Sequence, residues 1–172
     1  MSTLTVIQSK IIDQHKLKYV IGSWRVKGYS IVFTNGCFDI LHVGHVHYLA
    51  EAASKGFFLV VGINSDDSVK RQGKGSNRPV NSQDARAFVV AGLHAVNAVC
   101  IFNEDTPLDL IKLVQPDVLV KGGDYDENET NKNSKKYIVG SDVVKASGGQ
   151  VVTVPLVEGF STTSILSKIN SK

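Results

Sequence analysis

The chain has 172 residues, 42% of them apolar and 20% charged, which excludes a disordered or collagen-like polypeptide and fits one domain better than two. At this length about 70% of the unfolded surface is buried on folding, so no disulfide or structural metal is needed. A net charge of +3, from 19 basic and 16 acidic residues with no long basic run, is too small to argue for nucleic acid or an anionic membrane and leaves room for a small polyanionic ligand.

Residues 10–21 place Ile11, Ile12, Leu17, Val20 and Ile21 at helical spacing, predicting one short amphipathic helix. Residues 1–28 then form a helical extension ahead of a main domain over 29–172. Ile31, Val32 and Phe33 make a buried strand that runs into the polar Thr34-Asn35-Gly36. From Val43 the period changes: Val43, Val46, Leu49, Ala50 and Ala53 share a helical face, and Gly56 ends that helix. A second buried strand covers 57–63, with Asn64-Ser65-Asp66 as a cap at its end. Residues 70–80 form a basic, glycine-containing loop, 82–93 a helix and 98–102 a third strand. The apolar stretch 87–102 is interrupted by His94 and Asn97 and is shorter than the roughly 20 residues of a membrane span. Thr106-Pro107 opens a helix with Pro at its first position. Residues 116–121 form strand four, 124–133 a mobile polar loop, and a helix to about Ala146 ends at Gly148-Gly149. Strand five covers 151–154 and a helix over 162–169 closes the chain. The two cysteines, Cys37 and Cys100, form no CxxC pair, which removes zinc and thioredoxin-like readings. Few cysteines and no secretory segment predict a cytoplasmic protein.

Strands alternating with helices predict a single doubly wound α/β domain: a Rossmann-like, parallel, five-stranded sheet with helices on both faces. Such sheets bind ligands beyond the carboxyl ends of their strands, near the switch point in strand order. The chemistry-bearing motifs fall at such ends, after strands one, four and five.

After strand one comes His42-Val43-Gly44-His45. Two histidines three residues apart at a helix start share a face, beside unpaired N–H groups and the positive end of the helix dipole. That suits a phosphate gaining charge in a transition state, and Gly44 predicts close approach of a ligand to the backbone. The bland reading is a helix cap. A metal site would need a third ligand, and no HExxH-type pattern occurs. His47 reads as a surface or interface residue, and His15 and His94 carry no site. After strand five, Gly159-Phe160-Ser161-Thr162-Thr163-Ser164 clusters hydroxyls at a helix start, fit either for capping or for gripping a polyphosphate. After strand four, Lys121-Gly122-Gly123-Asp124 allows close backbone approach by a ribose or base, with Asp124 placed for a ribose hydroxyl or Mg²⁺. The plain alternative there is a turn. The basic loop carries Lys70, Arg71, Lys74 and Arg78 and is either a solvated surface or a cover for phosphates. Neither GxxxxGK[ST] nor GxGxxG follows a strand, against kinase and dinucleotide readings.

The run Thr34-Asn35-Gly36-Cys37-Phe38-Asp39-Ile40-Leu41-His42-Val43-Gly44-His45 resembles the signature of the HxGH nucleotidyltransferase superfamily, in its cytidylyltransferase-like branch. The added set Asn64-Ser65-Asp66, Arg78-Pro79-Val80-Asn81, Glu104-Asp105-Thr106-Pro107, Lys121-Gly122-Gly123-Asp124-Tyr125 and Ser161-Thr162-Thr163 is similar to the heptose 1-phosphate adenylyltransferases. The resemblance spans about residues 29–170, and Lys168 stands where many superfamily members carry Arg.

The resemblance implies transfer of AMP from ATP to a sugar 1-phosphate, D-glycero-β-D-manno-heptose 1-phosphate, with pyrophosphate leaving. It implies His42, His45 and Lys74 as catalytic residues, with Lys70 the runner-up to Lys74. Nucleotide contacts fall to Asn35, Gly36, Cys37, Phe38, His42, His45, Lys121, Gly122, Gly123, Asp124, Ser161, Thr162, Thr163 and Lys168. Acceptor contacts fall to Asp39, Lys70, Arg78 and Arg86. Mg²⁺ is expected to arrive with ATP, with no protein-only metal site. A homodimer is expected, with no nucleic-acid or membrane partner. Two other readings stay open: a cytidylyltransferase for glycerol 3-phosphate or another sugar phosphate, and a nucleotide-binding module that has lost catalysis.

Overall fold

The computed structural model describes residues 2–73 and 77–170. Among the described residues the elements follow in the order α1 (Thr3–Ser9), α2 (Gln14–Val26), β1 (Ile31–Gly36), α3 (Val43–Ala53), β2 (Phe58–Asn64), α4 (Asp66–Arg71), α5 (Gln83–Ala91), β3 (Ala98–Phe102), α6 (Leu108–Val114), β4 (Val118–Gly122), α7 (Ser141–Ala146), β5 (Gln150–Val154) and α8 (Thr162–Asn170). The strands form one all-parallel sheet in the order β3-β2-β1-β4-β5. Parallel strands need crossovers, and the helices that supply them cover both faces. Along β1, Ile31 and Phe33 join one core layer and Val32 the other, as the two-residue period requires. The first layer brings Leu17 and Ile21 of α2 against Leu110, Ile111 and Val114 of α6. The second brings Leu49 of α3 against Ala87, Val90 and Ala91 of α5. This is the doubly wound architecture expected from the alternation.

The N-terminal segment differs from the single helix expected over 10–21. The chain breaks there into α1 and α2, and the residues between them run extended beside β3. Ile11 bridges Val99 in parallel, with Val99 N–H donating to Lys10 O at 2.8 Å and Ile12 N–H to Val99 O at 2.9 Å. Asp13 then caps α2 by accepting from Lys16 N–H. An Asp cap three residues inside the apolar pattern stops a helix from running through. Pro107 sits at the N-cap of α6, one position before the first helical residue. The polar stretch after β4 continues to residue 140 as a series of turns, tied down by Asp126 N–H to Lys136 O and by the Lys132–Asp142 ion pair. Among the described residues no helix is long and apolar enough to cross a membrane.

β1 pairs with β2 over six residues, yet with β4 only at Val32↔Val118 and Phe33↔Leu119. β1 lies between β2 and β4, so the strand order reverses here, and beyond Leu119 the two strands part. The opening is a cleft at the carboxyl edge of the sheet, where a doubly wound fold places its ligand.

Candidate active site

Two side-chain links span the cleft floor where the β1–β4 ladder stops. The Tyr48 hydroxyl, from α3, shares a 2.6 Å hydrogen bond with Thr34 Oγ1 and donates to Val120 O at 3.1 Å. One step further out, Lys121 Nζ donates to Asn35 Oδ1 at 2.6 Å and lies 5.3 Å from the Tyr125 ring centre. Above this floor the cleft encloses about 750 Å³, ample for a nucleotide.

The histidine pair forms one wall. His42 is the N-cap residue of α3, but its side chain makes no capping bond, so the bland reading fails for it. Its ring stacks on His45 with centroids 3.8 Å apart and planes 20° from parallel. Phe38 meets the far side of His45 edge-on at 5.2 Å. Both Nδ1 atoms are buried, with no hydrogen-bond partner among the described residues. Burial lowers the His42 ring from its usual range. The His45 ring falls to about 4, through burial first and the neighbouring His42 second, with the Ile40 backbone opposing. Both rings are therefore neutral at pH 7, and each carries a single N–H. Orphaned polar atoms in a packed site mark a place for a polar ligand. Gly44 borders the cleft beside them. A Cβ there would lie 3.1 Å from both Cε1 and Nδ1 of His42, so the missing side chain also makes room for the His42 ring.

The β1–α3 loop is clamped from behind. The Asp39 side chain is fully buried; it accepts from Arg78 Nε, from Val80 N–H at 2.8 and 3.0 Å, and from Asn81 N–H at 3.0 Å. Burial alone would raise its carboxyl, but the Asn81 and Val80 donors and Arg78 outweigh it and hold the group below the usual range. The carboxylate is saturated by the protein, which fits a clamp on residues 78–81 better than direct contact with an acceptor. Arg86 is likewise fully enclosed. Its guanidinium donates to Cys37 O at 2.6 Å, Asn64 O at 2.8 Å, Asp66 Oδ1 at 2.7 Å and Asn81 O at 3.0 Å. It lies under the loop and outside the cleft lining.

The β4 and β5 ends close the other side. A Cβ on Gly122 would fall 2.7 Å from Asp124 Oδ1 and 3.1 Å from Leu156, while one on Gly123 would meet the Pro155 backbone at 3.4 Å. Both glycines thus let the two strand ends pack together; Gly122 lines the cleft and Gly123 does not. At the start of α8, Ser161 Oγ accepts from Ser164 N–H at 3.0 Å, so this hydroxyl is a cap. Thr162 and Thr163 line the cleft beside it.

Of the residues picked from the sequence, one cleft thus gathers Asn35, Gly36, Cys37 and Phe38 with His42 and His45. Asp39 and Arg78, Lys121, Gly122 and Asp124, and the three hydroxyls of 161–163 complete it. Lys70 stands apart, exposed and paired with Asp67, and Lys168 is exposed outside the lining. Lys74 lies outside the described residues. Sequence reasoning missed Tyr48 and Gln72 as cleft residues. Tyr48 follows His45 by three on one helix, a spacing that could have found it; nothing in the local pattern marks Gln72. Leu156, Val157 and Phe160 supply an apolar rim.

Fold and cleft together define a nucleotidyltransferase. The chain belongs to the cytidylyltransferase-like family, whose model matches residues 33–168. Among curated proteins it is 48% identical over 162 residues to the bifunctional protein HldE of Wolinella succinogenes, covering 94% of this chain and 31% of the relative. It is 53% identical over 145 residues to the bifunctional protein HldE of Hyphomonas neptunium, covering 84% and 28%. The chain therefore spans about a third of the length of these relatives. Among solved structures, a lipopolysaccharide core biosynthesis protein from Thermoplasma volcanium matches with TM-score 0.57 and 27% identity, over 76% of this chain and 98% of that one. A pantoate-beta-alanine ligase from Francisella tularensis matches with TM-score 0.60 at 14% identity, over 94% and 78%, which speaks for the fold alone.

Proposed function

We propose that the protein transfers AMP from ATP to D-glycero-β-D-manno-heptose 1-phosphate, forming ADP-heptose and pyrophosphate. The observation that carries the reading is the stacked His42–His45 pair, whose buried Nδ1 atoms lack partners in a cleft at the switch point. The high identity to HldE proteins supports the heptose acceptor. A sugar phosphate is already a nucleophile at neutral pH, so the site needs no general base. Its work is to align an in-line displacement at the α-phosphate and to stabilise the charge that develops there. His42 and His45 donate to the α-phosphate, whose oxygens become stronger acceptors as they gain charge, so these bonds tighten in the transition state. Thr162 and Thr163, at the start of α8, hold the β and γ phosphates. Lys121 and Tyr125 border the nucleoside, and Arg78 faces the acceptor.

Among the described residues no group of three His, Cys, Asp or Glu could hold a metal. Asp39 is saturated, leaving Asp124 as the carboxylate of the cleft. This donor set fits Mg²⁺ that enters on the triphosphate, which Asp124 would help to hold. Bound so, Mg²⁺ would neutralise charge on the polyphosphate. A cytoplasmic reaction and a homodimer belong to the same reading. The test is His42→Ala and His45→Ala in a pyrophosphate-release assay. Either variant is expected to lose kcat by about 10²–10³-fold, with a smaller change in KM for ATP. Near-parental turnover in both would defeat the assignment. The family model's name keeps a cytidylyl transfer as the second reading, separated by offering CTP in place of ATP.

A further inference from the structure

Phe38 holds a left-handed backbone, φ 47°, which is unfavourable for a bulky residue and persists only where the surroundings impose it. Three contacts impose it here. The Phe38 ring folds back over Gly36, where a Cβ would fall 3.0 Å from Cε2, and on to the edge of His45. On the far side Asp39 is locked by Arg78, Val80 and Asn81. On the near side the Cys37 carbonyl is held at 2.6 Å by the enclosed Arg86 guanidinium.

In a trans peptide the C=O and the next N–H point in opposite directions. Fixing the Cys37 carbonyl inward on Arg86 therefore turns the Phe38 N–H outward. Phe38 borders the cleft, and among the described residues nothing accepts from its N–H. Arg86 can hold this peptide rigidly because its other donors are engaged as well, on Asn64 O, Asp66 Oδ1 and Asn81 O. We infer that Arg86 is a positioning residue: through the Cys37 carbonyl it aims the Phe38 N–H, beside the histidine pair, as a fixed donor to the phosphate under transfer. This replaces the acceptor contact that the sequence suggested for Arg86. It rests on the nucleotidyl-transfer reading and adds to it the part that sets the donor's direction.

The test uses Arg86→Lys in the full chain, with steady-state kinetics for MgATP and the heptose phosphate. An ammonium cannot reach the four acceptors at once, so the Cys37 peptide is freed. The expected result is a kcat lower by about 10–100-fold, less than the roughly 10²–10³-fold lost when one such donor is removed outright, with KM for ATP changed less than about threefold. Val114→Ala, a core variant in α6 far from the cleft, controls for lost stability and is expected to keep parental kcat. If Arg86→Lys does not fold, Asp66→Asn loosens the same guanidinium by removing its ion pair, with a kcat loss of about 3–10-fold expected. Parental kcat in the folded Arg86→Lys, or in Asp66→Asn where the former does not fold, overturns the inference. So does a loss no larger than in Val114→Ala. A parent protein without turnover would overturn the nucleotidyl-transfer reading, and this inference with it.

Discussion

Replacing Asp39 by Ala tests how the loop between β1 and α3 is held. The carboxylate is fully buried, pairs with Arg78 and accepts from two backbone N–H groups. Removing it strands the Arg78 guanidinium, itself largely enclosed, and leaves the Val80 and Asn81 donors without their acceptor. Breaking a buried pair in this way costs about 3–5 kcal/mol. For a chain of this size each kcal/mol lowers Tm by about 2–4 °C, so Asp39→Ala is expected to melt roughly 6–20 °C below the parent. The effect carries a pH signature. The folded carboxyl lies below its unfolded value of about 3.9. Its stabilisation is therefore complete above the unfolded value and is lost as pH falls through the folded one. Thermal melts from pH 7 down to pH 3, followed by circular dichroism, should show the parent converging on the variant at the acid end. A Tm within about 2 °C of the parent at pH 7 would refute the clamp, since that bounds the loss near 1 kcal/mol.

His45 gives an acid limb at higher pH. Its ring is lowered from 6.5 to about 4 in the folded chain, so the unfolded chain takes up the proton first. Stability is full above about pH 6.5 and declines as pH falls toward 4; His45→Asn should flatten that decline in a Tm–pH series, and parallel curves would contradict it. Gly44→Ala puts a Cβ against the His42 ring; kcat should fall at least tenfold while the helix gains up to about 1 kcal/mol of propensity. Unchanged turnover would show that the ring moves aside freely. Ser161→Ala removes a cap and should cost about 1 kcal/mol with ATP affinity unchanged. Thr162→Ala and Thr163→Ala should raise KM for ATP by roughly 5–30-fold. Equal effects at all three hydroxyls, in melts and kinetics on the same preparations, would erase the distinction.

The five strands were legible because strands buried on both faces read as apolar runs: 98–102 is β3 to the residue, and Ile31, Val32 and Phe33 open β1. The cleft was legible as a place, since the motifs follow β1, β4 and β5 and the parallel order brings those ends together. The extended segment at Ile11 was not, because Ile11 and Ile12 fit a helical face as well as a strand edge, and only pairing with Val99 decides between them. Charged residues reveal their type but not their partners. Asp39 and Arg86 read as ligand contacts and are spent inside the protein. Gly44 was read as room for a ligand; it does border the cleft, but nothing in the sequence showed that it also makes room for the ring of His42. Phe38 gave no warning of its left-handed backbone, a conformation that the aromatic side chain itself disfavours.

The proposed reaction stands most directly on the identity of the two substrates. Purified protein with Mg²⁺ and either ATP or CTP, offered D-glycero-β-D-manno-heptose 1-phosphate or glycerol 3-phosphate, can be followed by pyrophosphate release and by the nucleotide-sugar formed. Adenylyl transfer predicts pyrophosphate and ADP-heptose in equal amounts from ATP and the heptose phosphate, and much slower release from the other pairs. Faster turnover of CTP with glycerol 3-phosphate, or no pyrophosphate from any pair, would contradict it.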